Sequence, residues 1–193
     1  HMTMKRDQAL RMLSQHYPDG IVVPVYQSAF DWMGIRPHPL NYLCTGAMGQ
    51  GSSHALGLAL ACPEEPVVVL DGDGSLLMNL GSLVTIADQS PRNLKHFVCQ
   101  NGIYEVNGEF PIPGKNSIDF AAMAVAAGYE EAYTFAEIDA FSRALPKILA
   151  TPGPIMIALQ VEAGETFPRD YPAIHSAQTR AAFKAALAAR CIG

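Results

Sequence analysis

Charge is scarce in this sequence. Asp, Glu, Lys and Arg make up 16% of its 193 residues, and 13 basic side chains face 18 acidic ones. No basic run is present to neutralise a phosphate backbone, which argues against nucleic acid as a partner. No apolar stretch approaches the roughly 18 residues of a membrane span. The segment His1-Met2-Thr3-Met4 lacks a signal-peptide pattern, and His1-Met2 reads as a cloning scar before a natural start at Met2 or Met4. Cys44, Cys62, Cys99 and Cys191 form no CxxC pair and have no His-rich spacing. They read as plain thiols, and with the missing signal pattern they point to a reducing, cytoplasmic compartment. Repeats and low-complexity segments are also lacking. What the chain has is apolar content, 49%, which excludes disorder and lets one α/β domain of this length bury a real core.

Strand-like and helical segments alternate. Helices are expected over Lys5–Gln15, Ser52–Ala61 and Ser75 to about Gln89. Further helices are expected over Ile118–Ala127 (capped by Ser117), Phe135–Leu149 (capped by Thr134 with Glu137) and Ala177–Ala189. Strands are expected over Ile21–Val25, Pro66–Leu70, Leu94–Gln100 and Ile155–Val161, with Asn41–Cys44 as a further apolar run. The continuous run Val67-Val68-Val69-Leu70 suits a strand covered on both faces. Ile103–Asn116 holds two prolines and two glycines and reads as a loop. This order predicts a mostly parallel sheet between two helical layers, a three-layer α/β/α fold of six strands.

Ligands of such sheets sit where strand C-terminal ends meet helix N-termini. Three Gly-containing turns fall there: Gly46–Gly51, Gly72–Gly74 and Asn101-Gly102. Asp73 and Asn101 each follow the end of a predicted parallel strand, so neighbouring strands would bring them together. One carboxylate and one amide oxygen suit zinc poorly. They suit Mg2+ well, since that ion takes oxygen ligands and fills its shell from phosphates and water. Gly72 and Gly74 let backbone approach an anion, and Ser75 opens a helix whose first amides favour negative charge. The residues themselves therefore suggest a Mg2+-bridged diphosphate.

Gly72-Asp73-Gly74, then 26 residues, then Asn101, resembles the signature of thiamine-diphosphate (ThDP) enzymes. The resemblance implies that Asp73, Asn101 and the Ile103 carbonyl hold Mg2+, with Gly72, Gly74, Ser75 and Tyr104 around the diphosphate. Thr45-Gly46-Ala47-Met48-Gly49 is similar to the segment lying against the aminopyrimidine ring. There Met48 would wedge beneath the cofactor, the Gly46 carbonyl would accept from its amino group, and Ala47 would line the ring. The stretch 72–83, Asp119-Phe120-Ala121-Ala122, Gly128-Tyr129 and Gly153-Pro154 are similar to one branch. It contains sulfopyruvate decarboxylase β subunits and the C-terminal half of phosphonopyruvate decarboxylases. The implied reaction is decarboxylation of a 2-oxo acid to CO2 and an aldehyde.

The whole chain, 1–193, then reads as one diphosphate-binding (PP) domain. Such enzymes also need a glutamate against the pyrimidine ring, supplied by a separate pyrimidine-binding (PYR) domain. Glu105, Glu109, Glu130 and Glu131 lie outside any such segment, and the first 40 residues are too few to hold one. The resemblance thus implies a PYR-type partner polypeptide and an active site shared between subunits. The run Val106-Asn107-Gly108-Glu109-Phe110 departs from the branch: it lacks hydroxyl donors and adds a negative charge, which disfavours a dianionic substrate. His54 is the acid–base candidate, while His38 and His175 could border a substrate channel. A carboligase resembling acetolactate synthase and a non-catalytic orphan PP domain are the competing readings.

Overall fold

The computed structural model describes residues 4–17, 19–46 and 48–191. His1, Met2 and Ala47 therefore lie outside the described residues. Helix α1 (Arg6–His16) leads into strand β1 (Ile21–Pro24), helices α2 (Gln27–Ile35) and α3 (Gly51–Ala61), and strand β2 (Val67–Gly72). Helices α4 (Asp73–Leu77) and α5 (Gly81–Gln89) follow, then strand β3 (Leu94–Gln100). A hairpin of β4 (Ile103–Tyr104) and β5 (Phe110–Pro111) precedes α6 (Phe120–Ala127), β6 (Glu131–Phe135), α7 (Ile138–Ala150) and β7 (Ile155–Gln160). Helices α8 (Tyr171–Ile174) and α9 (Ala177–Cys191) close the chain.

The main sheet has five strands in the order β1-β2-β3-β7-β6, all parallel. Strands β2 and β7 carry continuous apolar runs, as burial on both faces requires, while the middle strand β3 also buries Lys95 and His96. One face packs against α3, α5 and α6, with Phe183 and Leu187 of α9 joining them. The other packs against α1, α2 and α7 through Leu10, Trp32, Phe141 and Leu145. The three-layer class stands, but the count of six strands does not: among the described residues, Asn41–Cys44 joins β1 only through two isolated bridges, Val22 to Asn41 and Val25 to Cys44. The Asn41 side chain bonds instead to Trp32 and Arg36 of the neighbouring helix end.

Five local expectations are corrected. The helix expected from Phe135 is preceded by a strand: aromatic and β-branched residues favour the pleated surface, and Tyr133 stacks on Phe135 there. Asp119, not Ser117, caps α6 by accepting from the Ala122 N–H. The Ser75–Gln89 helix is split into α4 and α5 between Leu77 and Gly81, and the loop after Asn101 holds the small hairpin. Cys62 and Cys191 are joined as a disulfide, whereas Cys44 and Cys99 are free thiols as expected, and both are buried. No spacing rule foretells that α9 returns the end of the chain to the end of α3. Cysteine usage thus ceases to argue for a reducing compartment. No described helix is long and apolar enough to cross a membrane.

Candidate functional site

Strands β2 and β3 are parallel neighbours, with Gly72 opposite Cys99. Their C-terminal ends therefore carry Asp73 and Asn101 to one edge of the sheet. Asp73 opens α4 and is 2% exposed. Its Oδ1 accepts the Gly74 N–H at 2.8 Å, and its Oδ2 accepts the Gly102 N–H at 2.7 Å. The second bond ties the two strand ends together. Burial pushes the Asp73 carboxyl upward, opposed by the Gly102 and Gly74 amides. A cation at this carboxylate would oppose the burial cost in the same sense and more strongly.

Asn101 is oriented from two sides. Its Oδ1 accepts from the Ile103 N–H at 3.1 Å, and its Nδ2 donates to Glu105 at 2.9 Å. The turn around Met48 is joined to the same region. The Gly49 N–H donates to Ser75 Oγ at 3.0 Å, and Asn79 Nδ2 donates to the Gly49 carbonyl at 2.9 Å. Gly49 has φ +80°, and an added Cβ would press on Asn79 and Met78, so the turn needs glycine twice over.

One cavity unites these groups. Gly72, Asp73, Gly74 and Ser75 line it from the α4 side, Asn101, Ile103 and Tyr104 from the end of β3, and Met48 from the second turn. Gly46 is exposed and outside this lining, and Ala47 lies outside the described residues. His54 also sits outside it, exposed on the first turn of α3, with Nδ1 3.5 Å from Cys44 Sγ and its ring edge-on to Tyr42. His175 reaches Thr45 at 3.3 Å, beside the Gly46 turn. Val106 lines the cavity, whereas Glu109 and Phe110 are exposed outside its lining.

Two residues escaped the sequence reading. Arg6 of α1 and Asp31 of α2 are 4% and 1% exposed, and Arg6 Nε donates to Asp31 at 2.6 Å. The rest of the Arg6 guanidinium grips Glu105 at 2.5 and 3.1 Å. Arg6 lines the cavity, as does Glu105. A signal was present: Arg6, Ala9, Leu10 and Leu13 are all buried, so the arginine stands on the apolar stripe of its helix. A charge on such a stripe calls for a buried partner.

The donor set fits Mg2+ and a diphosphate. One buried carboxylate, one amide oxygen and nearby backbone carbonyls are hard oxygen donors that leave places for phosphate oxygens and water. Burial pushes the Cys99 thiol up to about 11, so the sulfur that lines the cavity stays protonated and ligates poorly. Among the described residues no cluster of three His, Cys, Asp or Glu side chains offers a rival metal site.

Comparison with known proteins places the chain in a family. Residues 25–159 match the family model of the thiamine pyrophosphate enzyme C-terminal TPP binding domain. A phosphonopyruvate decarboxylase of Streptomyces viridochromogenes is 37% identical over 91% of this chain and 44% of its own length. A sulfopyruvate decarboxylase subunit beta of Methanothermobacter thermautotrophicus is 36% identical over 90% of this chain and 89% of its own. The chain thus spans less than half of the first relative and most of the second. Benzoylformate decarboxylase from Polynucleobacter necessarius shares the fold at a TM-score of 0.69 and 22% identity, over 87% of this chain and 35% of that one. With the aspartate, the asparagine and the methionine turn gathered at one sheet edge, the chain belongs to the thiamine pyrophosphate enzymes, through their C-terminal TPP-binding domain.

Proposed function

We propose that this chain is the diphosphate- and Mg2+-holding PP subunit of a ThDP-dependent 2-oxo acid decarboxylase, working with a second polypeptide of PYR type. The observation that carries the reading is the convergence of Asp73 and Asn101, through adjacent parallel strands, on a cavity that Met48 also lines. Asp73 Oδ, Asn101 Oδ1 and the Ile103 carbonyl would hold the cation. Gly72, Gly74, Ser75 and Tyr104 would bound the diphosphate, and the start of α4 favours its charge. The Gly46 carbonyl, Ala47 and Met48 would hold the pyrimidine ring, Met48 from the cavity wall. When bound, ThDP supplies a nucleophilic carbon and an electron sink for the 2-oxo acid. The chain's own residues orient it and shield it from water.

The glutamate that activates the pyrimidine ring is assigned to the partner. Glu105 is committed to Arg6 and Asn101. A relative named as a beta subunit, of which this chain covers 89%, supports a two-component assembly. His54 is a weaker candidate for proton transfer near the Thr45–Gly46 turn. The substrate we favour is a 2-oxo acid without a second anion. Arg6 is the one cation among the described residues lining the cavity, and two carboxylates already neutralise it.

Calorimetry on the chain co-expressed with a PYR-type subunit tests this reading. Wild type should bind ThDP in a Mg2+-dependent manner and release CO2 from a 2-oxo acid, while D73A should lose the binding. Unchanged ThDP affinity in D73A would sink the metal assignment. Turnover by the chain alone would sink the partner requirement. Acetolactate-type products would replace decarboxylation with carboligation.

A further inference from the structure

The buried charges behind the cavity form a continuous string. Gln27 Nε2 donates to Asp31 at 2.9 Å, Arg6 bridges Asp31 to Glu105, and Glu105 accepts from Asn101 Nδ2. The string starts on α2, passes through α1 and ends on the asparagine assigned above to the cation. Its central member, Arg6, lies outside the stretch that the family model matches, residues 25–159.

The chemistry at Asn101 gives the string a purpose. A carboxylate only accepts, so the amide can turn nothing but its NH2 toward Glu105. The Ile103 N–H only donates, so it can meet nothing but Oδ1. Turning the amide over would set two oxygens 2.9 Å apart and two nitrogens 3.1 Å apart. A single bond would leave the group free to rotate, whereas two of opposite polarity fix it. Glu105 stands on the short helical turn Glu105–Asn107 inside the small hairpin. The two-pronged grip of Arg6 fixes its carboxylate, and Asp31 holds Arg6 from behind.

We propose that Glu105, clamped by Arg6, is the positioning residue that presents Oδ1 rather than Nδ2 of Asn101 to the divalent cation. This rests on the metal reading given above. The charge balance is consistent with it: one guanidinium between two carboxylates leaves a net negative end, and that end faces the positive side of the amide.

The test uses the full chain, first free of metal. Side-chain amide protons of Asn101, assigned by their loss in N101D, are followed by NMR for exchange with water. Exchange should be slow in wild type, intermediate in E105Q, which keeps one acceptor for Asn101 but loses the second prong of the Arg6 grip, and about tenfold or more faster in E105L. Mn2+ is then titrated in the presence of ThDP, read by water-proton relaxation. E105L should bind it about tenfold or more weakly, E105Q should stay within about threefold, and R6K should fall between, as expected for loss of a ligand-orienting contact. Thermal midpoints are recorded alongside. Wild-type exchange and Mn2+ affinity in E105L would overturn the proposal. So would equal losses in E105L and E105Q that track their thermal midpoints. If E105L does not fold, wild-type exchange in R6K overturns it. D73A separates the two readings. Undiminished Mn2+ binding in D73A refutes the metal site itself, while loss in D73A with wild-type behaviour in E105L refutes only the positioning role.

Discussion

Lys95 tests whether burial is treated correctly in this fold. It is the second residue of β3 and is 5% exposed, lining a cavity at the strand N-terminal ends beside Arg92 and Leu149. Burial lowers its amine from the ordinary 10.5 to about 8, and no ion pair among the described residues offsets that. The unfolded chain keeps the proton up to about 10.4, while the folded chain releases it near 8. Between those values the unfolded state binds more protons, so this group makes stability rise with pH there. The full difference corresponds to about 3 kcal/mol. The amine opens on the cavity, so water screens it, and about 1–2 kcal/mol is expected. Lys95→Met removes the charge and keeps the stem volume. Urea unfolding of wild type and K95M at pH 7, 8, 9 and 10 is the assay. K95M should be more stable at pH 7, and its advantage should shrink through the window from 8 to 10.5. Cys44 and Cys99, both pushed up to about 11 by burial, work in the opposite sense, but equally in both proteins. Parallel stability profiles, or a K95M variant less stable at pH 7, would refute the reasoning.

Three other expectations concern the site and its scaffold. Gly74→Ala would set a Cβ 2.6 Å from the Tyr104 ring. We expect a loss of about 1–3 kcal/mol in urea unfolding, together with weaker ThDP binding by calorimetry. Cys62→Ser opens a disulfide that closes a sequence separation of 129 residues, and should cost on the order of 2–5 kcal/mol. Reductant should lower the thermal midpoint of wild type and leave C62S unmoved. His54→Ala should leave Mn2+ and ThDP affinity within about twofold, because an exposed histidine outside the cavity lining contributes little to binding. A change in kcat alone would then identify a role in proton transfer.

What could be read in the sequence was what local physics encodes. Val67–Leu70 announces a strand covered on both faces because its run is continuously apolar; Leu94–Gln100 reads as a strand too, but only the structure pairs the two. The Gly-Asp-Gly turn and Asn101 were legible because each must follow such a strand. The Phe135 region was misjudged because Thr134 and Glu137 make a plausible helix start, and pairing with β7 overrode it. Arg6, Asp31 and Glu105 were missed as a unit because they come from three elements, 25 and 99 residues apart by their bonds. Only packing of α1 against α2 and the sheet edge brings them together. The bond between Cys62 and Cys191 was invisible for the same reason.

Helix α1 has a practical consequence for anyone moving this domain into another setting. A fragment cut at residue 25, where the family match begins, would retain both cofactor turns and both acidic side chains. It would lose the guanidinium that sits between them. Two shielded anions would then confront each other behind the asparagine, and one would have to take up a proton or swing out to water. The transplantable unit accordingly begins before Arg6: the same cut removes the buried face of α1 and the edge strand β1, so charge compensation and packing place the boundary together.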